Sequence, residues 1–173
     1  MSVTSVTTLQ GAIVFTDIVG FTQLTDEHGD DLAITLLERQ TELVQQALPD
    51  TARIVKELGD GLLLWFDDPR AAIITTLALQ QSFEEESDGD LPMWVRIGMH
   101  WGCPRARGDD IIGRDVNLAS RIADLAAPGE VLCSEATATE AGEVPGVDYD
   151  PLGPVYVRGI AEPVPLLRAF CTE

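Results

Sequence analysis

Basic side chains are scarce in this chain: 11 Lys and Arg stand against 29 Asp and Glu, for a formal charge of −18. Such a surface repels phosphate backbones and anionic lipid, which argues against a general nucleic-acid or membrane-surface binder. An anionic substrate is admissible only where metal ions or a local cluster of Arg and Lys invert the field. Cysteine is equally sparse. Cys103, Cys133 and Cys171 are odd in number, widely spaced and without a CxxC, which excludes a disulfide framework or structural zinc and fits a reducing, cytoplasmic setting. The only histidines, His28 and His100, do not make a His-rich metal site. The start, MSVTSVTTLQ, lacks the basic segment and apolar run of a signal peptide. No run approaches the ~20 apolar residues that a membrane span needs.

What is present is a core. The chain has 173 residues, 45% of them hydrophobic and spread throughout. That suits one compact domain over 1–173, with 1–9 flexible or peripheral, and it excludes wholesale disorder. No repeat or interdomain linker is visible.

Gln10 to Asp17 is a short β-branched apolar run and reads as a buried strand. A short helix follows Gly20 and breaks near Gly29. Asp30 to Ala47 carries Leu32, Leu36, Leu43 and Ala47 near helical spacing, with Asp30 or Asp31 as cap and Pro49 as stop. Thr51 to Phe66 reads as a hairpin turning at Leu58-Gly59-Asp60-Gly61. Pro69 opens a helix to about Glu86, and the acidic patch from Glu84 to Asp90 reads as a solvated loop. Met93 to Trp101 alternates as a strand, and Cys103 to Asp110 is a short connection. Gly113 to Ala126 is helical, with Val116, Leu118, Ile122 and Leu125 as apolar contacts. A strand at Glu130 to Cys133, a weaker helix through Ala141 and proline-broken strands from Val147 to Phe170 complete the order.

This order is α+β, with helices packed on a largely antiparallel sheet and a ferredoxin-like core. In that arrangement the first strand lies antiparallel to the second strand of the hairpin. Asp17, ending one, then sits near Asp60, starting the other. Paired carboxylates at strand ends can hold two divalent cations, which in turn carry substrate phosphates and activate an attacking oxygen. The turn Val19-Gly20-Phe21-Thr22 beside Asp17 leads into a helix, whose open N–H groups suit a polyphosphate. Taken singly, these residues have plainer readings: Asp17 as a helix cap, Asp60 as a hairpin Asp, Asn117 and Arg121 as a solvent-facing pair one turn apart, and Lys56 as a surface charge.

The segments FTDIVGFT (Phe15 to Thr22), KELGDG (Lys56 to Gly61), RIGMHWG (Arg96 to Gly102) and DDIIGRDVNLASRI (Asp109 to Ile122) stand in one order over nearly the whole chain. Together they resemble the catalytic domain of class III nucleotidyl cyclases. The resemblance implies that Asp17, Asp60 and the Ile18 carbonyl bind two divalent cations, Mg²⁺ or Mn²⁺. It implies that Val19, Gly20, Phe21 and Thr22 form the phosphate-binding turn, and that Arg96 and Arg158 bind the triphosphate. Arg158 stands where many members carry Lys, keeping the charge but changing its reach. Lys56 and Asp110 match the pair that selects adenine, Asn117 the residue that orients ribose, and Arg121 the one that stabilises the transition state.

A Lys donor beside an Asp acceptor complements N1 and the amino group of adenine. Guanine reverses both, at ~1–3 kcal/mol for each buried mismatch. The implied activity is conversion of ATP to 3′,5′-cyclic AMP and pyrophosphate. The implied assembly is a head-to-tail homodimer, since this chain carries both halves of the site. A guanylyl cyclase or a non-catalytic nucleotide-binding regulatory module are the alternatives. A diguanylate cyclase lacks its GG[DE]EF signature here. The short Gly102–Asp110 connection departs from many members, where this arm reaches over the partner.

Overall fold

A computed structural model describes residues 7–87 and 93–172. Along the chain, strands β1 (Thr7–Thr8) and β2 (Gly11–Ile18) precede helices α1 (Phe21–His28) and α2 (Asp30–Ala47). The hairpin β3 (Ala52–Leu58) and β4 (Gly61–Phe66) leads to α3 (Pro69–Glu86), β5 (Val95–Gly102), β6 (Arg105–Arg107) and β7 (Asp110–Ile112). Helix α4 (Arg114–Leu125), β8 (Val131–Ser134), α5 (Glu135–Ala141), β9 (Val147–Val155) and β10 (Val164–Cys171) follow. The main sheet has the order β3-β4-β2-β5-β8-β10-β9 and is antiparallel except at β5–β8. Its first four strands are the ferredoxin-like core. Pro151 and Pro154 lie in β9, an edge strand, where a missing N–H is tolerated.

Strand alternation sorts the two faces. Ala12, Val14, Leu62, Leu64, Val95 and Ile97 pack with α2 and α3 in the main core. Ile13, Leu63 and Trp65 face the other way, against Ala119 of α4 and Ile111 of β7. Asp17 belongs to this second face, two residues on from Phe15. Helix α4 lies close on β5 because Gly98 has no side chain: a Cβ there would fall well inside contact distance of the Ala123 backbone nitrogen.

Several local expectations change. The buried stripe of α2 is Ala33, Leu36, Gln40, Leu43 and Val44, whereas Leu32 is half-buried and Ala47 exposed. Gly29 is the N-cap of α2, with Asp30 and Asp31 in its first turn, where they complement the helix dipole rather than cap it. Leu125 is 47% exposed because α4 presents that side away from the sheet. Glu84 to Glu86 end α3 as helix, and Asp88 to Asp90 lie outside the described residues. The Cys103–Asp110 connection is built as strand: β6 and β7 form a hairpin, and Thr7 and Thr8 pair with Ala106 and Arg105 to give a three-stranded arm. Residues 1–6 lie outside the described residues. Among the described residues, no helix is long and apolar enough to cross a membrane.

Gly98→Ala will push α4 off β5 and lower stability by about 1–3 kcal/mol, read as a fall in melting temperature. An unchanged melting temperature would contradict this seating of α4.

Candidate active site

The β2–β4 ladder pairs Asp17 with Gly61, and the Ile18 N–H donates to the Asp60 carbonyl at 3.1 Å. The two carboxyls therefore meet at the end of the sheet, as the topology predicted. Partial burial, then a hydrogen bond and like charge from Asp17, push the Asp60 carboxyl up to about 6. Arg96, opposite Asp17 in the β2–β5 ladder, hydrogen-bonds the Asp17 carboxylate and donates to the Asp124 carbonyl at 3.3 Å. Asp17 and Asp60 line a cleft of about 310 Å³ with Ser120, Ala123 and Asp124 of α4.

The donor set fits a hard divalent cation: carboxylate oxygens held together at the cost of mutual repulsion. Among the described residues, no group of three or more His, Cys, Asp or Glu is placed to hold a metal. A cation held by these two acids would take most of its coordination shell from other oxygens, the usual way Mg²⁺ is bound beside phosphates.

The turn after β2 is only partly available to a ligand. Gly20 adopts φ 70°, a left-handed conformation that favours glycine, and starts α1 without a side-chain cap. The Val19 N–H is committed to the Trp94 carbonyl at 2.7 Å, so Val19 does not offer the donor expected of it. The first-turn amides of Phe21 and Thr22 precede the first helical bond, from the Leu24 N–H to the Gly20 carbonyl.

Lys56, the chain's sole lysine, bonds Asp110 at 3.0 Å. A bulge between Ile54 and Lys56 makes this possible. Ile54 packs in the main core, and the extra residue lets both Val55 and Lys56 address the α4 face, with Lys56 opposite Leu63. Partial desolvation alone would raise the Asp110 carboxyl, but hydrogen bonds from Lys56 and the Ile111 N–H hold it below the usual carboxylate range. Arg53, which the sequence did not single out, donates to the Asp109 carbonyl at 2.9 Å and ties β3 to the same turn.

Asn117 and Arg121 share one side of α4 and line a second cleft of about 650 Å³ with Arg114, Ser120, Arg158 and Gly159. Arg121 also approaches Asp124 at 3.6 Å. Ser120 borders both clefts, so α4 divides the acids from the Asn-Arg pair. Most of the scarce positive charge gathers near this face: of the 11 basic residues, only Arg39, Arg70 and Arg168 lie outside β3, β5, the arm, α4 and the Arg158 loop. His100 is a satisfied structural residue. Its Nδ1 lies 2.7 Å from Ser134 Oγ and its Nε2 3.4 Å from Asp115 Oδ1, and burial holds the ring below its ordinary pKa against the pull of Asp115. Buried Cys133 has its thiol pushed up to about 12 by desolvation, which makes it inert.

Residues 4–166 match the family model described as the adenylate and guanylate cyclase catalytic domain. A pH-sensitive adenylate cyclase of Mycobacterium tuberculosis is 31% identical over 162 residues, covering 92% of this chain and 40% of that protein. An adenylate cyclase of Streptomyces griseus is 35% identical over 135 residues, covering 76% of this chain and 33% of that protein. The chain thus spans between a third and two fifths of the length of these relatives. The solved adenylyl cyclase CyaB from P. aeruginosa superposes with a TM-score of 0.82 at 24% identity, covering 98% of this chain and 97% of that one. Guanylyl cyclase domains are also among the chains sharing the fold.

In EDTA, Asp60→Asn will raise the melting temperature at pH 8, because the folded parent there holds the Asp60 carboxylate partly desolvated and beside the like charge of Asp17. The raised folded value of about 6, against 3.8 ordinarily, means that protonation relieves this desolvation and repulsion as the pH falls. The advantage of the variant over the parent will shrink between pH 6 and pH 4. A pH-independent difference would contradict the raised Asp60 carboxyl.

Proposed function

The chain belongs to the adenylate and guanylate cyclase catalytic domain family, and on that premise we propose that it converts ATP to 3′,5′-cyclic AMP and pyrophosphate at sites completed by a second copy of itself. The Lys56–Asp110 pair carries the choice of ATP. It offers a donor and an acceptor already held 3.0 Å apart, complementary to the Watson–Crick edge of adenine and mismatched to guanine. The fold alone does not choose the base.

Asp17 and Asp60, with the Ile18 carbonyl, would hold two divalent cations. When bound, these supply a lowered pKa for the ribose 3′-hydroxyl and charge neutralisation on the phosphates. The chain's own groups do the rest. The Gly20-Phe21-Thr22 turn presents N–H groups to the phosphates, and Arg96 and Arg158 offset their charge. Asn117 orients the ribose, and Arg121 neutralises charge developing around the α-phosphate.

The separation of the two clefts supports a shared site. One copy turns its acids and its Asn-Arg pair into different hollows on either side of α4. A head-to-tail homodimer would set the acids of one copy against Asn117, Arg121 and the base-reading pair of the other. The three-stranded arm lies beside that face.

Two outcomes test this. Asp17→Ala and Arg121→Ala will each reduce cyclic AMP formation at least about a hundredfold, and mixing them will recover activity through hybrids with one intact site. No recovery despite verified heterodimers would refute shared sites. Lys56→Glu will cut the ATP-over-GTP ratio of kcat/KM by at least about tenfold, measured as cyclic product from each nucleotide in parallel. An unchanged ratio would remove the pair from base selection.

A further inference from the structure

Two polar side chains are sealed in the core behind the metal acids. Thr16 is 2% exposed and Gln40 1%. Gln40 occupies the middle of the otherwise apolar buried stripe of α2, where an amide is tolerated only if its polar atoms are bonded. Thr16 Oγ1 donates to Gln40 Oε1 at 2.9 Å and accepts the Leu62 N–H at 3.2 Å. Gln40 Nε2 donates to the Asp60 carbonyl at 3.4 Å, the same oxygen that takes the Ile18 N–H.

One amide therefore joins the two segments that carry the acids. Thr16 immediately precedes Asp17, and Asp60 sits in the turn that Gln40 holds by its backbone. That turn runs Leu58-Gly59-Asp60-Gly61, and its two glycines contribute no side chain to anchor it. A Cβ on Gly61 would clash with the Thr16 carbonyl, so the turn is pressed directly against β2. Two like charges at the open end of the ladder act to part β2 from β4, and the bonds from Gln40 oppose that from the opposite face of the sheet.

We propose that Gln40, through Thr16 and the Asp60 backbone, is a positioning residue that sets the separation of the Asp17 and Asp60 carboxylates and so the affinity of the site for divalent cations. This rests on the proposed cation-binding role of the two acids. Partners that orient metal ligands typically change affinity by roughly tenfold to a hundredfold when removed.

The test compares Gln40→Met and Thr16→Val, which keep volume and lose the bonds, with Thr16→Ser, which keeps the hydroxyl. Hydrogen exchange of the metal-free protein is followed beside cyclase kinetics over a Mn²⁺ titration. In the first two variants, exchange should accelerate in peptides covering 16–18 and 58–62 more than in the rest of the sheet. The half-saturating Mn²⁺ concentration should rise roughly tenfold or more with the ATP-over-GTP ratio unchanged, and Thr16→Ser should behave as the parent. A uniform acceleration of exchange, or a loss of turnover with no shift in the Mn²⁺ midpoint, overturns the proposal and leaves Gln40 a core residue only. A parent protein that forms no cyclic product overturns the cyclase reading, and the local exchange in metal-free protein then decides whether Gln40 braces the acids.

Discussion

The β2–β4 ladder brings the Asp17 and Asp60 carboxyls together, and like charges held so close favour either a proton or a cation between them. Much else at this end of the molecule is built around that pair. Arg96 crosses from β5 to the Asp17 carboxylate, the Asp60 carbonyl gathers N–H donors, and the turn is pressed against β2 where only glycine fits. In an acidic chain of net charge −18, another pair of touching acids would be an unrelieved cost. Placed where most of the basic residues also gather, the pair is half of the site proposed for a polyanion with its counter-cations.

The second half depends on small departures from regularity. The β3 bulge sends Lys56 to the side where the arm brings Asp110, and Arg53 ties the same turn. Gly98 lets α4 settle on β5, which sets Asn117 and Arg121 over one cleft and leaves the acids in another. A helix standing between two incomplete clefts is the feature that makes a second copy meaningful to the proposed chemistry. Family membership supplies the reaction class, and the proposed base preference rests on the geometry of one ion pair.

The ferredoxin-like core was legible because β-branched runs, turn glycines and helix punctuation agree along the chain. The acid pair was legible because strand order alone forces it. Leu125, expected as an apolar contact, is exposed, and Leu32 and Ala47 lie off the buried stripe of α2, because helical spacing fixes which residues share a side, not which side meets the sheet. Gln40 is hidden for a related reason: a polar residue in a core stripe reads as a break in the pattern, and only its partners across the sheet explain it. The Val19 N–H, expected among the donors of the turn after β2, is spent on Trp94, a residue brought near only by folding.

Sequence by itself determined the element order, the fold class, the acids at adjoining strand ends and the residues that carry the family resemblance, because these follow from local periodicity and chain connectivity. Only the tertiary structure decided that Lys56 faces Asp110, that the arm is three-stranded, that α4 separates two clefts and that a buried amide joins the segments bearing the acids. Those outcomes arise from a bulge, a glycine contact and hydrogen bonds between residues far apart in the chain, and no local pattern encodes them.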